Sequence, residues 1–211
     1  LRKATTLKYK DGDEPFIEFP SSNTHELLVF TDHRQVYKCK VAQFEDTKSA
    51  QLGSYLPTDL GMDPDESVTW AIDPEDYKAD VLFVFENGRV ARVALAGYET
   101  KTNRKRLKNA IYGGSKLLFA CVLKEDRDLA LVSSDQRLIN FNTSLLKTKT
   151  TNSTQGVLAF TAKNGRIVTM VGTAEEFLGG TASVEKFRAA SLPSSGSPMK
   201  ETDMKSLFDL E

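Results

Sequence analysis

The chain has 211 residues, 40% hydrophobic and 27% charged, with 28 Lys+Arg against 29 Asp+Glu. That composition belongs to a soluble globular protein of one or two domains with a real core. A formal net charge of −1 leaves any nucleic-acid affinity to local patches, not to the total. No apolar run approaches the ~20 residues a bilayer requires. Leu1-Arg2-Lys3-Ala4 opens no secretory signal, and the missing initiator Met fits a piece of a longer chain.

The elements, taken in chain order, repeat. "PFIEF" (Pro15–Phe19) reads as a short strand, then "HELLVFTDHRQVYKCKVAQF" (His25–Phe44) as two strands around a turn at Asp32-His33. "SVTWAI" (Ser67–Ile72) precedes "ADVLFVFENGRVARVALAGY" (Ala79–Tyr98), whose Asn87-Gly88 between apolar runs predicts a two-residue type I′ hairpin. "KLLFACVL" (Lys116–Leu123) precedes "DLALVSSDQRLINFNTSLL" (Asp128–Leu146), with a turn at Asp135-Gln136. "GRIVTMV" (Gly165–Val171) is a fourth strand of the same kind. Ile17, Val68, Leu118 and Ile167 thus recur at a period of about fifty residues, the size of a propeller blade. Gln35, Arg89 and Arg137 follow the three turns.

"VLFVF" is apolar at every position, as an inner strand covered on both faces should be. Helical patterning is confined to "TAEEFL" (Thr173–Leu178) and the tail "ETDMKSLFDLE". "ASVEKFRAASL" (Ala182–Leu192) reads as the decayed second half of a fourth unit, and "SLPSSGSP" (Ser191–Pro198) as a linker. The expected organisation is one all-β domain over 1–190 and a linker with a tail over 191–211.

Charge is segregated along this pattern. From Glu86 to Lys116 eight cations face two acids, net +6. Lys101, Arg104, Lys105, Arg106 and Lys108 fall within eight residues, while "GMDPDES" and "DPEDYKAD" carry much of the opposite sign. A dense cationic loop can neutralise phosphates and release counterions without reading sequence. An ordinary solvated charged loop is the bland alternative. Arg89, Arg92, Arg137, Lys147, Lys149 and Arg166 would extend a cationic track across units, as would Arg34, Lys38 and Lys40 on the first. Strand alternation prevents all of them from facing outward together.

Other chemistry is sparse. Cys39 and Cys121 sit in strand-like runs and read as reduced core thiols. His25 beside a strand start reads as a local hydrogen-bonding group, and His33 as an exposed turn residue. The acidic stretch "DPDESVTWAIDPED" lacks the ligand alternation and Gly of a calcium loop. "YGGS" and "LGGT" do not continue into Gly-Lys-Ser/Thr, so neither makes a phosphate loop. Trp70 reads as core. No catalytic constellation, metal set or cofactor motif emerges.

Four segments in order carry a family likeness. "SSNTHELLVFTDHRQVYK" (Ser21–Lys38), "FENGRVARVALAGY" (Phe85–Tyr98), "NSTQGV" (Asn152–Val157) and "YKDGDEPF" (Tyr9–Phe16) resemble motifs of the C-terminal domains of DNA gyrase and topoisomerase IV A subunits. The resemblance, over roughly Tyr9 to Gly172, implies a β-pinwheel of about four blades, three clear and one degenerate, in a ring or an open arc. It implies an exchanged strand between neighbours and a rim that binds and bends double-stranded DNA. It implies a non-catalytic, cytoplasmic module, away from any membrane, that works with the B subunit as well as with the other domains of the A subunit. The family's Gln-Arg-Arg-Gly-Gly-Lys-Gly box would lie just upstream of "LKYKDGDE" and is not found, through truncation or divergence, which puts strong DNA wrapping in question and favours, as the alternative, a propeller-like protein-interaction module.

Overall fold

The computed structural model describes residues 15–48, 51–102, 104–161, 163–179 and 182–204. Most of the Tyr9–Phe16 motif and the last seven residues of the tail lie outside them. The first repeat supplies β1 (Glu26–Thr31), β2 (Val36–Lys40), a four-residue helix α1 (Leu56–Asp59) and β3 (Val68–Ile72). The second supplies β4 (Asp80–Phe85), β5 (Arg89–Ala94), a two-residue β6 (Arg106–Leu107) and β7 (Leu117–Leu123). The third supplies β8 (Asp128–Ser133), β9 (Arg137–Asn142), β10 (Val157–Leu158) and β11 (Val168–Gly172). Then come α2 (Ala174–Phe177) and β12 (Ser197–Pro198).

These strands form three four-stranded antiparallel sheets, ordered β3-β1-β2-β6, β7-β4-β5-β10 and β11-β8-β9-β12. Each hairpin therefore receives one edge strand from the segment that follows it and the other from beyond the next hairpin. The strand preceding a hairpin pairs with the hairpin before it, not with the one it leads into. "PFIEF" consequently forms no strand: among the described residues no hairpin lies before it to pair with, and Phe16 instead meets Trp70 edge-on at 5.7 Å.

The sheets stack through alternation along β4. Val81, Phe83 and Phe85 pack toward the first sheet with Leu28, Phe30 and Val36. Leu82 and Val84 pack toward the third with Leu129, Leu131, Ile139 and Phe141. All five β4 side chains are at most 1% exposed, so the run without polar alternation is the middle strand that its sequence predicts. The two end faces are covered by chain segments. Phe44, Leu60 and Met62 close over Val29 and Tyr37, and Ala174, Leu178 and Phe187 close over Ala130 and Val132. β7 packs beside both β3 and β11, which makes these the inner strands and leaves β6, β10 and β12 at the outer edge.

The fourth unit builds no sheet of its own among the described residues. α2 stands where its hairpin would be, with Thr173 as N-cap donating its N–H to the Glu176 carboxylate at 2.8 Å in a capping box. "SLPSSGSP" differs from the expected linker. β12 pairs with β9, and Arg137 donates to the carbonyls of Ser195 at 2.9 Å and Gly196 at 2.5 Å. The Ser/Pro-rich composition fits a two-residue edge strand, where a missing proline N–H goes unneeded.

The hairpin loops also differ from a type I′ turn. The N–H groups of Arg34, Gly88 and Gln136 donate back to Thr31, Phe85 and Ser133, and these third residues are left-handed at φ 60, 81 and 56. Such three-residue loops suit a type I turn closed by a left-handed residue. The left-handed residue turns its carbonyl toward the incoming segment: Arg34 O accepts from Ala110 N, Gly88 O from Ala159 N, and Gln136 O from Met199 N. Gly156, at φ +66, lies so close to this seam that a Cβ would run into the Val90 carbonyl oxygen. Gly165, at φ +72, has open space around it. Gly156→Ala is expected to lose about 2–4 kcal/mol and Gly165→Ala only about 1 kcal/mol, read by urea unfolding; equal losses would refute the close approach.

Candidate nucleic-acid interface

The basic octamer lies in the first exchanged segment. β6 pairs Arg106 with Tyr37 and Leu107 with Val36, and the Lys105 carbonyl accepts the Lys38 N–H at 2.8 Å. Leu107 goes into the core, while Lys101, Arg104, Lys105 and Lys108 are exposed. Arg104 and Lys105, with Lys38 and Lys40, line a cleft of about 680 Å³ that also holds Glu26 and Glu99. On the other side Arg104 and Lys108 line a notch of about 340 Å³ with Asn109, Thr150, Asn152 and Ser153, and no acid. That notch is the seam between the first and second exchanged segments. Asn152 donates to Gly97 O at 2.8 Å, which holds the two segments together.

Alternation does not decide which cations remain free; distant acids and backbone carbonyls do. Arg106 turns to Asp63 at 2.6 Å, donates to Gln35 Oε1 and lies over the Tyr37 ring at 5.5 Å. Arg92 is clamped between Asp80 at 2.6 Å and Asp126 at 2.7 Å, its side chain 18% exposed. Arg89 reaches the Gly156 carbonyl at 3.4 Å, as Arg137 reaches Ser195 and Gly196. Arg166 pairs with Asp135 at 2.7 Å. Lys38 is buried, 3.4 Å from Glu26 and bonded to Thr100. The structure thus takes Arg89, Arg92, Arg106, Arg137, Arg166 and Lys38 from the anticipated track and uses them to tie strands together. An arginine fork suits two oxygens at once, and a desolvated site holds it there.

Glu26, Asp80 and Asp128 occupy matching places at the start of each hairpin. Lys38, Arg92 and Asn140 match on the second strands, each two residues before the direct partners Lys40, Ala94 and Asn142. In the third sheet Asn140 brings no charge, its Oδ1 is buried without a partner among the described residues, and Arg188 from the exchanged segment reaches Asp128 at 3.0 Å. Hydrogen bonds from Asn142, and then Arg188, hold the Asp128 carboxyl below the usual range. Arg188 also meets Glu185, and Lys186 meets Asp203 at 2.6 Å. The third exchanged segment is therefore neutralised. Lys147 and Lys149 in the second are exposed and, like Lys101, Arg104, Lys105 and Lys108, make no ion pair among the described residues.

The acidic stretch is structural. Glu66, 5% exposed, accepts from Thr31, from Tyr37 at 2.7 Å and from the Asp63 N–H at 3.0 Å. Burial, then the Glu66 bond, pushes the Tyr37 hydroxyl up to about 12. His33, Asp63 and Glu66 bring ligand atoms within 4.8 Å of one another. Their oxygens already have donors, and a guanidinium sits 2.6 Å from Asp63, so the set suits an internal latch and not a cation. His25 Nδ1 donates to the Asp73 carboxylate at 2.8 Å, a structural tie as expected, but to a partner 48 residues away and not a local one. Burial raises the Asp73 carboxyl, but bonds from Ser21, His25 and the Glu75 N–H outweigh it and leave it lowered. Cys39 and Cys121 are free thiols, and Trp70 is half-buried against Phe119 at 5.4 Å.

Threaded four-stranded sheets stacked in an arc define the chain as a β-pinwheel. The likeness to gyrase and topoisomerase IV A subunits holds in both sequence and fold. Over 100 residues the chain is 29% identical to the A subunit of DNA topoisomerase 4 from Bacillus subtilis (strain 168), covering 46% of this chain and 12% of that protein. Over 126 residues it is 25% identical to the A subunit of DNA gyrase from Helicobacter pylori, covering 58% and 15%. These matches span less than a fifth of the length of the curated relatives. Among solved structures, the E. coli ParC C-terminal domain superposes with TM-score 0.68 at 13% identity, covering 96% of this chain and 87% of that one. The C-terminal domain of DNA topoisomerase IV gives 0.62 at 22% identity, covering 74% and 50%. No protein-family model matches the chain.

The polar wall of Thr150, Asn152 and Ser153 was not singled out as a site by sequence reasoning; its signal was the "NSTQGV" run, which carried the family likeness alone. Given this division of cations, Arg92→Gln is expected to lose about 1–2 kcal/mol, solvent screening included, whereas Lys149→Gln stays within about 0.5 kcal/mol. Thermal and urea unfolding of both variants checks this.

Proposed function

We propose that the chain is a non-catalytic DNA-binding module of a type IIA topoisomerase A subunit, acting in the cytoplasm with the B subunit of that enzyme as well as with the other A-subunit domains. The observation that carries the reading is the set of six exposed cations without an acidic partner among the described residues, Lys101, Arg104, Lys105, Lys108, Lys147 and Lys149, on two adjoining exchanged segments at the outer edge. Side chains of one sign beside uncharged Asn, Ser and Thr donors suit phosphate oxygens and carry no base readout. The relatives' names supply the context of a topoisomerase. No helix among the described residues is long and apolar enough to cross a membrane.

Each of these cations would act on phosphate electrostatically, so salt exposes the interaction. Wild type should bind a linear duplex with affinity falling steeply as salt rises. Changing Arg104, Lys105 and Lys108 together to Gln should weaken binding at every salt and flatten the log–log slope by about 0.9 for each phosphate no longer neutralised. Arg106 is left intact in this variant because Asp63 already engages its guanidinium. Absence of binding at low salt, or a slope unmoved by the triple change, would reject the DNA reading in favour of a protein-docking module.

A further inference from the structure

Beside the first hairpin turn lies a second cleft, of about 400 Å³, with two carboxylates in its wall: Asp32, which accepts the Ser67 N–H at 2.8 Å, and Asp63, the one of the two that meets Arg106. Asp63 receives Arg106 Nη2 at 2.6 Å and Gln35 Nε2 at 3.1 Å, with His33 Nδ1 4.0 Å away. Exposed Arg34 and Lys108 stand at the mouth. This is a donor set for an oxyanion, and the guest it holds belongs to the chain itself. Arg106 is also the one member of the octamer's Arg104-Lys105-Arg106-Lys108 run that an acid withdraws. Its hydrogen bond to Asp63 is the foremost cause of that carboxyl's lowered pKa, so the guest is ionised at neutral pH.

We propose that this cleft is a phosphate seat on the DNA path and that Asp63, occupying it in the free protein, competes with backbone phosphate for Arg106 and so limits DNA affinity. The proposal rests on the DNA-binding reading. Two features make Asp63 displaceable. Its side chain is 44% exposed, open to exchange with a solvent-borne anion. Its loop is fastened independently, by Glu66 with Thr31, Tyr37 and the Asp63 N–H, and by Leu60 and Met62 on the first sheet. The backbone therefore does not depend on the carboxylate.

Asp63→Asn should bind a linear duplex roughly two- to fivefold tighter than wild type, with a log–log salt slope steeper by about 0.9. Asp65→Asn removes the same charge from a side chain 84% exposed that does not touch Arg106, and should fall short of that gain. Introduced into Arg106→Gln, the Asp63→Asn change should bring no gain. Thermal midpoints confirm folding, and Asp63→Ser replaces Asp63→Asn if the amide fails to fold. Equal affinity for Asp63→Asn and wild type overturns the seat. So does a gain matched by Asp65→Asn or kept without Arg106, which would be general charge removal. If wild type shows no salt-dependent duplex binding, the DNA reading fails by itself, and inorganic phosphate then tests the cleft. A shift of the Arg106 Nε resonance in Asp63→Asn on adding phosphate supports an oxyanion seat; no shift overturns it.

Discussion

Everything in this fold hangs on a carbonyl. At the end of each hairpin loop a left-handed residue, Arg34, Gly88 or Gln136, points its C=O at a segment from beyond the next hairpin. That bond, with the two-residue pairing beside it, makes the outer strand of every sheet a gift from its neighbour. A four-stranded blade of this size cannot bury both faces alone. Threading commits each one to its neighbours covalently, and the cores between sheets then fill with Phe30, Phe83 and Phe85 on one side of β4 and Phe141 and Phe160 on the other. Aromatic edges meet across the first seam at 5.2 Å for Phe30 and Phe83.

Threading also decides where charge can go. An exchanged segment must travel along the outer edge, contributes a two-residue strand with at most a bridging residue such as Lys149 or Arg188 besides, and leaves most of its length exposed. It is the place in each repeat where lysines cost least to keep solvated. The hairpin strands are different: a cation there sits over apolar neighbours and needs a fixed partner. Glu26 with Lys38 and Asp80 with Arg92 answer that need, and where the third hairpin offers Asn140, Arg188 crosses from the edge to serve Asp128. Arginine and lysine have consequently divided the labour. The forked side chains mostly fasten strands, Arg34 and Arg104 excepted, and the point charges mostly stay in water, Lys38 excepted.

Much of this was legible in the sequence, and what was not shares one cause. The fifty-residue period, the doubly covered "VLFVF", the helical "TAEEFL" and the strands that carry Val68, Leu118 and Ile167 or its neighbours all follow from local pattern. So does the fourth unit's decay. The unread features need partners far along the chain. Whether Arg106 faces solvent depends on Asp63, 43 residues away, and Arg92 on Asp126, 34 residues away. "PFIEF" has a strand's composition but no hairpin among the described residues to join, and "SLPSSGSP" has a linker's composition but finds β9 free. α1 at Leu56–Asp59 is one turn long, too short for any periodic signal. Its role is to lay Leu60 and Met62 over the first sheet.

The same physics bears on how far a duplex can be held. Cations remain free on the first two exchanged segments, while the third is quenched by Asp128, Glu185 and Asp203. On the DNA reading the attractive edge therefore covers two blades and stops. Bending a duplex smoothly by 40–90° costs about 1–6 kcal/mol, and the return must come from phosphate contacts spaced along the bend. Two segments carrying the six free cations offset a short arc at the low end of that range more readily than a long wrap. On that reading a module of this kind would hold a segment already close to its bent path, with a grip set by how many of its own carboxylates stand aside.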